Sequence, residues 1–145
     1  DLSLPSILWC RRAFAAYAPR FRFEHFNGHS PFFNPSGDVA VVDYRLPTGA
    51  RSIDMVVCGS LFTHLFEADA RHYLAEIARV LRPGGRTVLS LHVDVAPGET
   101  YAGSEARVDV SEAYFLAMCA EAGLTHEQPL GAVYGQSAHL LRLAS

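Results

Sequence analysis

His64 and His92 are the two side chains whose type and placement suit proton transfer. An imidazole gains or loses its charge near neutral pH, so a positioned histidine can take a proton from a hydroxyl or amine. His64 lies just beyond the apolar run Ile53–Cys58, and His92 ends the run Thr87–Leu91. If both runs are parallel strands, both imidazoles face the crevice at the strands' C-terminal ends. Open α/β sheets take ligands at that end. Cys58-Gly59-Ser60 occupies the same place: its backbone can hold a polar ligand group, and Gly59 permits close approach. Asp94 and His29 are further acid–base candidates. Each histidine is also compatible with a packed, hydrogen-bonded role, and Cys58-Gly59-Ser60 with a tight strand exit. The seven histidines lack ligand-type spacing, so no metal is expected.

The stretch Ser52–His92 must position these groups. Ile53–Cys58 is short, apolar and β-branched, the pattern of a strand buried on both faces of a parallel sheet. Over Glu67–Leu81 the period becomes helical, with Ala70, Tyr73, Leu74, Ile77, Ala78 and Leu81 on one face. Glu67 and Arg71 stand four apart in the favourable order, and Glu67 and Asp69 put negative charge near the helix start. Arg82-Pro83-Gly84-Gly85 ends the helix before the second strand. Two strands joined by a helical crossover run parallel and right-handed.

The flanks are read the same way. Ser3 caps a helix expected over Leu4–Tyr17, with Ile7, Cys10, Phe14 and Tyr17 as its apolar stripe. Phe21–Phe26 alternates apolar and polar, as an edge-near strand does. Asn27–Gly37 is rich in turn residues, and Asp38–Asp43 holds a short extended piece. Val93–Arg107 reads as a long loop, of the kind that is functional or mobile. A helix over Ser111–Ala122 follows, then two extended stretches, Thr125–Val133 and Ala138–Ala144, that can pair as an antiparallel hairpin at the sheet edge. Phe32, Phe33 and Tyr101 are loop aromatics able to cover a substrate or simply to pack locally.

At 145 residues, half of them hydrophobic, the chain can build one core. A net charge of −3 carries no basic footprint, so no nucleic acid is expected as a partner. No apolar run approaches the ~20 residues of a membrane span, so no membrane partner is expected either. Cys10, Cys58 and Cys119 are widely spaced, which fits a reducing, cytoplasmic setting.

Asp54-Met55-Val56-Val57, Phe62-Thr63-His64-Leu65 and Leu81-Arg82-Pro83-Gly84-Gly85, in this order, resemble the class I S-adenosylmethionine-dependent methyltransferases. The loop Pro31-Phe32-Phe33-Asn34-Pro35 resembles an insert of the small-molecule methyltransferase subfamily. The resemblance implies an α/β, Rossmann-like fold: a mostly parallel sheet, helices on both faces and a C-terminal antiparallel hairpin. It also places the family's first strand and glycine-rich turn before Asp1, and this chain supplies neither. Residues 1–145 are therefore expected to be the C-terminal two-thirds of one methyltransferase domain.

The resemblance implies S-adenosyl-L-methionine as cofactor and a small-molecule substrate. Asp1-Leu2 would end the second strand, where an acid accepts from the ribose hydroxyls. Asn27-Gly28 follows the third strand, where relatives contact adenine; Asn27 is alternatively an Asn-Gly turn, and Asp43 is a rival contact. Cys58, Gly59 and Ser60 would meet the amino end of the cofactor. His64 and His92 would be the catalytic candidates. A non-catalytic methyltransferase-like scaffold or interaction domain is the competing reading, favoured by the missing glycine-rich turn. A nicotinamide-dependent enzyme is disfavoured, because no GxGxxG follows any strand.

Overall fold

Ser3 starts the first helix as its type predicts: its Oγ accepts from the Ser6 N–H at 3.3 Å, and α1 covers Leu4–Ala13. A 3₁₀ turn at Ala15–Tyr17 carries the chain on to the expected end. The computed structural model describes residues 1–18 and 20–144. It resolves into two compact units, Asp1–Pro47 and Thr48–Ser145.

In the first unit, Phe21–Phe26 is extended but forms no regular strand. Alternation aims Phe21 and Phe23 at Phe14, with ring centroids 5.3 and 5.6 Å away. A strand, however, also needs a neighbour along its backbone, and here the neighbour is Asp1. Asp1 N donates to the Glu24 carbonyl at 3.0 Å, and Phe26 N donates to the Asp1 carbonyl at 2.9 Å. This is one rung of a parallel ladder, centred on Asp1 and His25. The Phe23 carbonyl is taken instead by the Arg11 guanidinium, at 2.7 and 3.0 Å.

The second unit holds the strand–helix–strand core. β1 (Ile53–Cys58), α2 (Glu67–Val80) and β2 (Leu81–Leu91) follow one another, and β1 pairs β2 in parallel. The strand starts earlier than expected. Leu81 already pairs with Ile53, the register then shifts over Arg82–Gly85, and Arg86 pairs with Met55. Gly84 takes φ +78° to make that bulge.

Val93–Val110 is not all loop. Tyr101–Ser104 (β3) and Arg107–Val110 (β4) form an antiparallel hairpin. After α3 (Glu112–Glu121), β5 (Leu124–Val133) and β6 (Gln136–Leu143) form the expected C-terminal hairpin. The sheet order is β1-β2-β6-β5, with β2·β6 and β6·β5 antiparallel. The expected mostly parallel sheet is therefore mixed here, with its parallel character confined to β1·β2.

α2 and α3 share one core, in which Leu74, Ile77, Leu89, Leu91, Phe115, Met118 and Leu141 are buried. Arg71 joins the helices, bonding Glu67 at 2.9 Å and Glu121 at 2.6 Å. β1 was expected to be buried on both faces and is not: Met55 is 48% and Val57 67% exposed. Both side chains lie on one face of β1, while Val56 and Cys58 on the other face pack against the core.

Candidate active site

β1 and β2 are parallel, so the chain leaves both at the same end of the sheet, and β6 begins beside them because Ser137 pairs Leu91. At this end the turn after β1 is built around Ser60, a non-glycine residue at φ +58°. That conformation costs an L-residue on the order of 1–2 kcal/mol and persists only where the surroundings hold it.

They do. Ser60 N donates to Ser90 Oγ at 2.8 Å, and Ser90 Oγ donates to Gln136 Oε1 at 2.7 Å. Gln136 Nε2 returns a bond to Ser60 Oγ at 2.9 Å. Thr63 Oγ1 donates to the Ser60 carbonyl at 2.9 Å and lies 3.0 Å from Ser60 Oγ. Thr63 has already spent its proton, so Ser60 Oγ is the donor in that last contact. Ser60, expected to bind cofactor directly, thus uses its N–H, carbonyl and hydroxyl to set the turn. Beside it Gly59 is open: a Cβ there would meet no atom within 4 Å. Burial pushes the Cys58 thiol up to about 12, which disfavours the nucleophilic thiolate at neutral pH.

The two histidines bracket the β3–β4 hairpin. His64 Nδ1 is 2.9 Å from the Glu105 carbonyl in the hairpin turn. A carbonyl only accepts, so Nδ1 carries the proton and Nε2 is the basic nitrogen of the neutral ring. His92 forms a bridge with Asp109, and its carbonyl accepts from Val110 N at 2.9 Å. Its Nδ1 is buried without a hydrogen-bond partner. Val108 N donates to the Thr63 carbonyl at 2.8 Å, so the hairpin is tied to the same turn.

The lesser candidates have structural work. Asp94 and Asp109 share the Arg107 guanidinium, and the bond from Arg107 holds the Asp109 carboxyl below its usual range. Tyr101 lies in β3, and its hydroxyl donates to the Leu65 carbonyl at 2.8 Å. Among the described residues, no group of His, Cys, Asp and Glu could hold a metal ion.

In the first unit the structure brings Asp1, Leu2, Asn27 and Gly28 together. Asp1 Oδ1 accepts from the Ser3 N–H at 2.7 Å, which leaves acceptor capacity on its carboxylate. A Cβ on Gly28 would come within 2.4 Å of the Phe26 ring and 2.9 Å of Leu2 Cδ2, so a larger residue there requires those side chains to shift. Asn27 is the weaker fit to a ligand. Its Nδ2 donates to Asp38 at 2.8 Å and its Oδ1 accepts from Asn34 at 3.1 Å, bracing the Asn27–Asp38 loop. Asp43 sits exposed in a 3₁₀ turn at Val41–Asp43, and His29 is exposed. Phe32 and Phe33 are exposed and meet edge to face at 4.8 Å.

Sequence reasoning missed Gln136, Ser90 and Thr63. Nothing local marks them, since Gln136 and Ser60 meet across 76 residues.

Residues 19–89 match the model of a methyltransferase domain family. A 1,6-didemethyltoxoflavin-N1-methyltransferase from Burkholderia thailandensis, solved with 1,6-didemethyltoxoflavin and S-adenosylhomocysteine bound, superposes with TM-score 0.67 at 19% identity, over 94% of this chain and 56% of its own. A TehB-like SAM-dependent methyltransferase from Corynebacterium glutamicum gives TM-score 0.63 at 19% identity, over 100% and 66%. An S-adenosylmethionine-dependent methyltransferase from Clostridium acetobutylicum gives 0.68 at 10%, over 100% and 74%. The chain thus spans little more than half the length of the Burkholderia protein and about two thirds of the Corynebacterium one.

The fold is Rossmann-like α/β, of the type these methyltransferases share. The methyltransferase-domain match lies within this fold, over residues 19–89.

Proposed function

We propose that the chain transfers a methyl group from S-adenosyl-L-methionine to a small-molecule acceptor. The observation that carries this reading is the left-handed turn at Ser60, held at the shared C-terminal end of β1 and β2 and open at Gly59. A fold that spends backbone strain and five hydrogen bonds on one strand exit, beside two histidines, has the marks of a ligand site. One solved relative holds a small molecule, 1,6-didemethyltoxoflavin, which supports the same class of acceptor here.

The cofactor supplies an activated methyl group on a sulfonium. The residues of the chain then have positioning, proton transfer and water exclusion to perform, and positioning accounts for much of the rate in such displacements. In this reading His64 takes the acceptor's proton at Nε2, the nitrogen that the Glu105 carbonyl leaves basic. His92 is the second candidate, with a buried Nδ1 that a bound ligand could satisfy. Cys58 and Gly59 meet the cofactor through backbone, and Ser60 shapes that contact. Within the first unit, taken by itself, Asp1, Leu2, Asn27 and Gly28 are the residues proposed for cofactor contact, Asn27 and Gly28 through their backbone because the Asn27 carboxamide is engaged elsewhere.

Calorimetric titration with S-adenosylhomocysteine tests the reading. Binding in the micromolar range is expected, and no binding up to about 1 mM would overturn it. The scaffold alternative is favoured by exposed Met55 and Val57 on the end strand of the sheet. It predicts a stable oligomer that covers them; a monomer in sedimentation that binds S-adenosylhomocysteine removes it.

A further inference from the structure

Gln136 belongs to the C-terminal hairpin, yet its side chain closes a ring of hydrogen bonds around the turn after β1. The ring runs from Ser60 N to Ser90 Oγ at 2.8 Å, from Ser90 Oγ to Gln136 Oε1 at 2.7 Å, and from Gln136 Nε2 to Ser60 Oγ at 2.9 Å. Every proton in it has one assignment. Ser90 gives its hydroxyl proton to Gln136 and therefore accepts from the Ser60 amide. Ser60 accepts from Gln136 and therefore gives its own hydroxyl proton to Thr63, which gives its proton to the Ser60 carbonyl. A ring of this kind is all or none. Removing the carboxamide leaves Ser90 without its acceptor and Ser60 Oγ without its donor, and the bond from the Ser60 amide loses its orientation.

Gln136 is suited to this task by position. Val133 and Gln136 pair across the two-residue turn Tyr134-Gly135, in which both residues have positive φ, 50° and 74°. The first residue of β6 is thereby fixed beside the end of β2, where Ser90 pairs Ala138. Only a side chain that both donates and accepts, at this reach, bridges the Ser90 and Ser60 hydroxyls. A serine held at φ +58° otherwise relaxes to right-handed or extended backbone.

We propose that Gln136 is a positioning residue: its carboxamide locks Ser60 in the left-handed conformation that presents Cys58 and Gly59 to the cofactor. The C-terminal hairpin is thus part of the cofactor-side machinery without touching ligand. The role rests on the methyltransferase reading.

The test compares wild type, Gln136→Met and the double variant Gln136→Met/Ser60→Gly, with two readouts. S-adenosylhomocysteine affinity reads the function, and amide exchange of residue 60 in the ligand-free protein reads the lock by itself. Gln136→Met keeps the volume and removes both polar contacts. It is expected to speed exchange at residue 60 and to weaken S-adenosylhomocysteine about tenfold, with the melting transition still cooperative. Glycine at position 60 takes positive φ without steric cost, so the double variant should regain most of the lost affinity. Recovery is a response that a merely structural defect would not show.

Wild type and Gln136→Met with equal affinity and equal exchange would overturn the proposal while leaving the methyltransferase reading intact. Equal loss in the single and double variants would also overturn it. A wild-type chain that binds no S-adenosylhomocysteine removes the reading and this role with it. If methionine at position 136 unfolds the chain, Gln136→Glu carries the same comparison, because it keeps the shape and the acceptor toward Ser90 while replacing the donor toward Ser60 by a charged acceptor.

Discussion

His64 Nδ1 donates to the main-chain carbonyl of Glu105 at 2.9 Å, so a turn 41 residues away sets the tautomer of the leading catalytic candidate. Orientation by a carbonyl suits a general base, because it puts the proton on Nδ1 and holds the ring. His64→Gln should retain a donor toward Glu105 and lose the basic nitrogen. Turnover, followed as release of S-adenosylhomocysteine, is expected to fall about 10²-fold, with affinity for that product within a factor of two. An unchanged turnover would remove His64 from proton transfer.

His92 makes the opposite trade. Its Nδ1 is buried and unpartnered, an arrangement that costs a fold about 1–3 kcal/mol. His92→Phe removes that nitrogen at similar volume and is predicted to hold or raise stability in urea denaturation, by up to about 1 kcal/mol. Methyl transfer by the same variant should fall. A variant that loses stability instead would show that the nitrogen is bonded in solution.

Two glycines separate packing from ligand access. A Cβ on Gly37 would stand 2.1 Å from the Gly28 carbonyl oxygen and 2.6 Å from His29 N, and backbone cannot yield as a side chain does. Gly37→Ala should cost about 1–3 kcal/mol in denaturant unfolding. At Gly59 the same methyl group meets nothing within 4 Å, so Gly59→Ala should change stability by less than about 0.5 kcal/mol. It should nevertheless weaken S-adenosylhomocysteine, because the vacant space is where the cofactor is proposed to approach. Equal binding by Gly59→Ala would place the ligand elsewhere.

What was legible in the sequence was local. The apolar run at Ile53–Cys58 and the 3.6-residue period through Leu74 and Ile77 act over a few residues, and a strand and a helix appear there; Gly84, expected to end the helix, lies instead in the bulge of β2. Phe21–Phe26 shows the limit of such reading. Its alternation aimed the rings correctly, but a ladder depends on a neighbour, and here Asp1 supplies one rung. β3 and β4 were hidden for a related reason: Gly103 at φ +117° looks like loop chemistry, although a Cβ there would strike the Arg107 carbonyl at 2.2 Å inside the hairpin. Val57 and Met55 lie on the same face of β1, and whether that face is covered is a matter of packing that composition does not encode. Asn27, read as a ligand contact or a turn, proved to brace its loop through Asp38 and Asn34. Ser60, Ser90 and Gln136 form one site only because three distant strand ends converge, and no window of sequence holds them together.

His139 supplies a prediction about pH. Its side chain is fully buried on β6, with Nδ1 3.3 Å from His126 Nε2, and Nε2 3.1 Å from Ser137 Oγ and 3.5 Å from Glu112. Burial lowers its pKa from the ordinary 6.5; Glu112 opposes that effect and His126 adds to it. Between the folded value and 6.5 the unfolded chain holds the extra proton, so unfolding takes up protons in that window and stability rises with pH across it. On acidification from about pH 7 to pH 5 the wild type should lose stability, by about 1.4 kcal/mol for each unit of depression. Bonds to Arg107 and Arg86 lower Asp109 and Glu127, and a bond from the Tyr114 hydroxyl lowers Glu67, so their losses fall at more acidic pH and do not mask this step. His139→Gln cannot charge and should flatten the slope between about pH 5 and 7 in calorimetric melts. If wild type and variant melt with the same pH dependence, the proton is taken up elsewhere and His139 is not its acceptor.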